Sequence, residues 1–182
     1  MIYYNSTFHR REFIMVNYRL NSEYYQLIQD ILNHDEFEKI GQIQQHGGIT
    51  RLDHSLRVSY YSYLITRCLG LHYIETARAG LLHDFFVNSA DTSKKGKIEQ
   101  FVNHPKIAAE NAKKYFEINS LEEDIIKCHM FPSNTIIPRY LESWIVNFVD
   151  KTVATYEFSK SFQYKFRYLT NFYLILLFNF LK

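Results

Sequence analysis

The stretch RLDHSLRVSYYSYLITRCLG, residues 51–70, sets Leu52, Leu56, Tyr60, Tyr63, Leu64 and Cys68 at steps of three and four. That spacing follows one face of an α-helix and not the two-residue alternation of a half-buried strand. Gly70 then stands where a helix can close. The same period recurs along the chain. YIETARAGLLHDFFVNS reads as a second helix, with Ile74, Ala77, Leu81 and Phe85 in register. ADTSKKGKIEQFVNH follows as a polar, lysine-bearing connection, and a third helix is expected to begin at Pro105, a favoured first-turn residue, and to run through KIAAENAKKYF. In NSLEEDIIKCH, Ser120 as N-cap with Glu123 three residues on has the form of a capping box. MFPSNTIIP breaks that helix, and Pro138 is expected to open a long one through RYLESWIVNFVDKTVATYEF. Upstream, Asn21 or Ser22 caps EYYQLIQDILN. No stretch alternates cleanly between strand-like turns, so the fold class expected is all-α.

With 182 residues, only six glycines and three prolines, and no repeat or Pro/Ser-rich linker, the chain reads as a single domain. A net charge of +2 gives no reason to expect a nucleic-acid polymer as partner. Cys68 and Cys128 form no CxxC pair, and the N-terminal residues show no signal-peptide apolar core, so a reducing, cytoplasmic location is expected. The most apolar segment is NFYLILLFNFLK. Its run from Phe172 to Phe178 falls far short of the roughly 20 residues that span a bilayer. It is expected to form a helix packed on the same domain, with a homodimer contact or an interfacial membrane helix as the other uses for so apolar a surface.

The chemistry lies in polar residues set among apolar ones. His83 and Asp84 sit side by side in GLLHDFF, and Asp150 lies inside IVNFVDKTVA. A buried carboxylate without a partner is costly. Imidazole and carboxylate are also the ligands of borderline divalent ions, and neighbouring residues on a helix point about 100° apart, so His83 and Asp84 would approach one centre differently. His54, His104 and His129 stand near helix ends, from which a bundle can gather ligands into one cleft. Taken singly, each histidine is more often a hydrogen-bonded core residue, and Asp150 could pair with Arg or Lys.

Together these residues resemble the HD superfamily of metal-dependent phosphohydrolases. The family pattern H…HD…D is matched by His54, His83-Asp84 and Asp150, in the surroundings RLDHSLRVSYYSYLI, ARAGLLHDFF and ESWIVNFVDK. His104 in NHP and His129 in CHM occupy the places that mark the two-metal branch. The resemblance covers roughly residues 46–158, leaving 1–45 as an N-terminal helical extension and 159–182 as the apolar C-terminal helix. The GYP motif of cyclic-di-GMP phosphodiesterases is absent, Cys128-His129 stands where those enzymes pair histidines, and Phe85-Phe86 replaces the glycine and lysine often found after HD.

What the resemblance implies is a two-ion site, with Fe, Mn, Zn, Ni or Co as the candidate ions. His54, His83 and Asp150 would hold one ion, and His104 and His129 the other. Asp84 would bridge them and act catalytically by orienting a shared water. Two ions about 3.5–4 Å apart would ionise that water near neutral pH for attack on phosphorus. The implied substrate is a small phosphorylated compound: a nucleotide, a dinucleoside polyphosphate or a non-nucleotide phosphate. Arg51, Arg57, Arg139, Lys151 and His46 are candidates to bind it. Lys94, Lys95 and Lys97 read as a solvated face or as a lid. Two other readings share the ligand set: a di-iron oxygenase, and a non-catalytic nucleotide-sensing domain.

Overall fold

Helical periodicity is realised throughout. The computed structural model describes residues 21–44, 49–87 and 93–180, and the described residues form seven α-helices and no strand. In chain order these are α1 (Ser22–Leu32), α2 (Asp35–Glu38) with a 3-10 turn at Lys39–Gln42, α3 (Arg51–Cys68), α4 (Tyr73–Leu82), α5 (Lys94–Tyr115), α6 (Ser120–Cys128) and α7 (Leu141–Phe180). The most extensive packing is between α3 and α4, and α7 lies along α3. Helix α4 also packs on α1 and α6, while α6 touches α5 and α7. The core between them holds Tyr24, Ile28, Leu56, Tyr63, Leu81, Leu82, Ile125, Ile126 and Val146, all nearly or fully buried.

Several helix ends differ from the sequence expectation, each for a local reason. Asn21 caps α1 by accepting from the Tyr24 amide. At α6 the cap is Asn119, not Ser120: its side-chain oxygen accepts from the amides of Leu121 and Glu122, and Glu122 answers by accepting from the Asn119 amide. The capping box is therefore one residue earlier, and Glu123 is left to pair with Lys113 and Lys127 on the outside. Helix α4 stops at Leu82, short of Phe85, because the chain tightens into turns in which Phe85 N donates to Leu82 O and Phe86 N to Asp84 O. Gly70 closes α3 with a positive φ of 67°, as its place suggests.

The largest difference is at α5. Pro105 lies in its interior, and the helix starts eleven residues earlier, at Lys94, where the Ser93 hydroxyl accepts from the Gly96 amide. A proline inside a helix forfeits one backbone bond. Here the ridge of His104, Ala108 and Ala112, at four-residue steps, packs continuously into the bundle and offsets that loss. Helix α7 begins at Leu141, three residues after Pro138, and its backbone continues unbroken through the apolar C-terminal stretch to Phe180. How that stretch packs beyond Phe162 lies outside the described side chains. Among the described residues no helix is long and apolar enough to cross a membrane.

One crossing positions the HD dipeptide. A Cβ placed on Gly80 would lie 3.0 Å from the Cα of Ser59, so α3 and α4 meet backbone to backbone. Ser59 Oγ donates to Ala77 O at 2.6 Å and accepts from the Tyr24 hydroxyl at 2.7 Å, which ties α1, α3 and α4 together at this point. We expect Gly80→Val to cost about 1–3 kcal/mol of unfolding free energy, because two helix backbones must separate, which outweighs the roughly 1 kcal/mol by which glycine disfavours a helix. Urea denaturation checks this, and a variant as stable as the parent would show that the crossing can open freely.

Candidate metal centre

Two of the histidines are placed by the same local device. The last carbonyls of a helix have no intrahelical donor. His83, at the C-cap of α4, donates from Nδ1 to Gly80 O at 2.8 Å, and His129, at the C-cap of α6, donates from Nδ1 to Ile126 O at 2.8 Å. Each bond satisfies an end-of-helix carbonyl and, in the neutral imidazole, fixes the tautomer in which Nε2 is the acceptor nitrogen. His83 Nε2 is fully buried and has no hydrogen-bond partner. A buried imidazole nitrogen without a hydrogen-bond partner is suited to coordinate a cation.

Apart from Asp84, which follows His83 directly, the remaining members come from three other helices. His54 lies in the first turn of α3, behind a capping box in which Thr50 and Asp53 accept from each other's amides. His104 comes from α5 and Asp150 from α7. All six residues are at most 8% exposed. Asp84 Oδ1 faces His104 Nε2 at 3.3 Å and His129 Nε2 at 3.7 Å, while its other oxygen, Oδ2, faces His83 Nε2 at 3.8 Å. Asp150 Oδ1 stands 3.0 Å from His54 Nε2 and 3.7 Å from His83 Nε2. The Nε2 atoms of His104 and His129 are 3.0 Å apart, near enough to share one proton or one cation. Three overlapping groups have ligand atoms within 4.8 Å of one another: His54, His83 and Asp84; His83, His129 and Asp150; and Asp84, His104 and His129. Buried imidazole lone pairs around two carboxylates are a donor set that fits a divalent ion.

The electrostatics follow from this crowding. Burial alone would discharge His54, but its hydrogen bonds to Asp150 and Glu157 outweigh that and hold its pKa up at about 10. Burial, reinforced by His83, pushes His129 down to about 3, so it is neutral with its lone pair available. Burial works against the charge of Asp84, yet His83 and the hydrogen bond from His104 keep its pKa well below the usual carboxylate range. Asp150 is likewise held low, against burial, by the hydrogen bond from His54. Both carboxylates are therefore anionic at neutral pH.

The residues expected to bind substrate fare unequally. Arg51 is buried beside the cluster: its guanidinium lies 3.7 Å from the centroid of the Phe86 ring, Nη1 donates to Phe86 O, and the Phe86 ring meets that of His104 at 4.9 Å. Arg57 is paired with a buried carboxylate. It shares a helix face with His54 but is turned to Glu157, with 13% of its side chain exposed. Lys151 Nζ donates to His129 O at 2.9 Å, capping the end of α6, and its burial lowers its pKa. Arg139 is surface-exposed and bonds Asp124 through Nε at 2.7 Å. His46, and the side chains of Lys94, Lys95 and Lys97, lie outside the described residues.

Sequence reasoning passed over two residues around the cluster. Glu157 is buried and accepts from His54 Nδ1 at 2.9 Å. The Asn147 amide nitrogen lies within hydrogen-bonding range of the carbonyls of His129 at 2.7 Å, Phe131 at 2.8 Å and Cys128 at 3.2 Å, gripping the chain on which His129 sits. Their signal was positional. They stand three residues before and seven after Asp150, on the same face of one helix.

Comparison with known proteins supplies one match. No curated protein and no solved structure matches the chain. A family model described as HD domain matches residues 51–155, more than half of the chain and the span containing all six clustered side chains. With its all-α bundle and its histidine–aspartate cluster, the chain belongs to the HD-domain family.

Proposed function

We propose that this protein is a metal-dependent phosphohydrolase that holds two divalent ions and cleaves a phosphoester or phosphoanhydride in a small, nucleotide-like substrate. The observation that carries this reading is Asp84, whose two oxygens face different histidines: Oδ1 the His104–His129 pair and Oδ2 His83. A carboxylate divided in this way suits a bridge between two ions. His54, His83 and Asp150 would hold one ion, and His104 and His129 the other. When bound, such ions supply Lewis acidity and lower the pKa of water.

The chain's own residues do the rest. Asp84, kept anionic, would help hold the ions and orient the attacking water. Backbone carbonyls accept from Nδ1 of His83 and of His129 and so turn Nε2 of each towards the cluster. Arg51, clamped between Phe86 and the field of Asp84, is the cation best placed to meet a phosphoryl oxygen. Lys151 and Arg139 are occupied with the end of α6 and with Asp124, and Arg57 with Glu157, so the phosphate-binding role falls mainly to Arg51. Cys68 and Cys128 are both free thiols, which supports placing this chemistry in a reducing compartment such as the cytoplasm.

The test is elemental analysis of protein purified without added metal, followed by a panel of phosphorylated metabolites with Mn, Fe, Co, Ni or Zn. Two ions per chain and release of phosphate or a nucleotide product under anaerobic conditions are the expected results. Tight binding of one compound with no turnover would replace the enzyme by a sensor, and oxygen consumption by the di-iron protein would replace hydrolysis by oxygenation.

A further inference from the structure

One buried ion pair flanks the cluster. Glu157 lies on α7, two turns beyond Asp150, and only 4% of it is exposed. Both of its oxygens are engaged: Oε2 accepts from His54 Nδ1 at 2.9 Å and Oε1 accepts from Arg57 Nη1. Arg57 in turn lies on α3, three residues after His54, with 13% of its side chain exposed. The three groups form a chain, Arg57–Glu157–His54, that ends at His54 Nε2, 3.0 Å from Asp150 Oδ1.

An isolated carboxylate would be too costly to bury here, and an Arg–Glu pair buried for stability alone is often no better than a hydrophobic pair. The geometry gives the pair another use. His83 and His129 sit at helix C-caps and find a free carbonyl three residues back for Nδ1. His54 sits in the first turn of its helix, where no free end-of-helix carbonyl is within reach. Its Nδ1 needs an acceptor from elsewhere, and Glu157 is that acceptor. A carboxylate also makes the imidazole a more basic ligand than a carbonyl does.

We propose that Glu157, held by Arg57, is a positioning residue that fixes the tautomer and ring orientation of His54 and thereby sets the affinity of the centre for its ion. This rests on the reading of the cluster as a metal site. It differs from that reading in assigning a tuning role to two residues that touch neither ion nor substrate.

The experiment measures the dissociation constant of Co²⁺ by competition with a chromophoric chelator for the full chain and for Glu157→Gln, alongside the melting temperature of each metal-free protein. Glutamine keeps an acceptor of similar shape but no charge. The expected result is an affinity about 10–100-fold weaker, with a several-fold loss for Arg57→Gln and partial recovery in Glu157→Asp. A folded Glu157→Gln protein that binds Co²⁺ as tightly as the parent overturns the proposal and leaves the metal site intact. A parent protein that binds no divalent ion overturns both. Should Glu157→Gln fail to fold, long-range ¹⁵N–¹H spectra of the zinc-loaded parent decide. A protonated, hydrogen-bonded Nδ1 on His54 supports the proposal, and an Nδ1 bound to zinc overturns it.

Discussion

Asp84→Ala is expected to abolish ion binding and turnover together. Two of the three ligand groups contain Asp84, and its oxygens face His83 on one side and the His104–His129 pair on the other. Without it, each prospective ion loses an anionic ligand, and the imidazoles are left crowded around less negative charge. Turnover should fall by at least about 10³-fold, equivalent to about 4 kcal/mol of barrier. Elemental analysis of the variant after dialysis, with an assay on the substrate found in the metabolite panel, reads both effects. Asp84→Asn separates charge from shape, since it keeps one oxygen ligand, and it should retain some ion while losing most activity. A folded Asp84→Ala chain that still carries two ions would end the bridging assignment.

The second large effect is structural. Asp124, on α6, is 3% exposed and accepts hydrogen bonds from the Arg139 amide at 3.0 Å, from Arg139 Nε at 2.7 Å and from Ser143 Oγ at 2.8 Å. Those donors lie on the segment that returns from His129 to α7. Asp124 therefore anchors the far end of the loop whose near end Asn147 and Lys151 hold. Asp124→Ala leaves the fully buried Ser143 hydroxyl without its acceptor, and a loss of about 2–4 kcal/mol is expected. In a chain of this length that lowers the melting temperature by roughly 5–15 °C. The ion pair itself is a small part of this, because the Arg139 side chain is 69% exposed and screened by water. Arg139→Ala should accordingly cost far less than Asp124→Ala. If it proves as damaging as Asp124→Ala, the exposed charge and not the buried hydrogen bonds is what secures the loop. A loosened loop should also weaken ion binding through His129.

Both effects depend on groups that the sequence made visible to different degrees. The HD dipeptide was conspicuous because a charged pair in an apolar run demands a partner, and the structure provides one in facing histidines. Asp124 was not conspicuous. In NSLEEDIIKCH it reads as one more acid on an amphipathic helix, and its partners Arg139 and Ser143 are 15 and 19 residues away.

The amino-acid order alone determined that the chain is helical, where most helices lie, and that His54, His83, Asp84, His104, His129 and Asp150 belong to one family pattern. These are properties of local period and of residue type at a fixed spacing, and they need no knowledge of what touches what. Helix ends were legible only to within a residue or a turn. Asn119 and Ser120 are both good caps, and a proline has the same missing donor in a first turn as in the interior of α5. The tertiary structure decided which side chains share a space. It paired Arg57 with Glu157, 100 residues along the chain, and brought Glu157 to His54, 103 residues away. It also gave Nδ1 of His54, His83 and His129 a hydrogen-bonding partner each. Such pairings depend on how α3 and α7 cross, and that is set by the summed packing of their faces, which no short window of sequence contains.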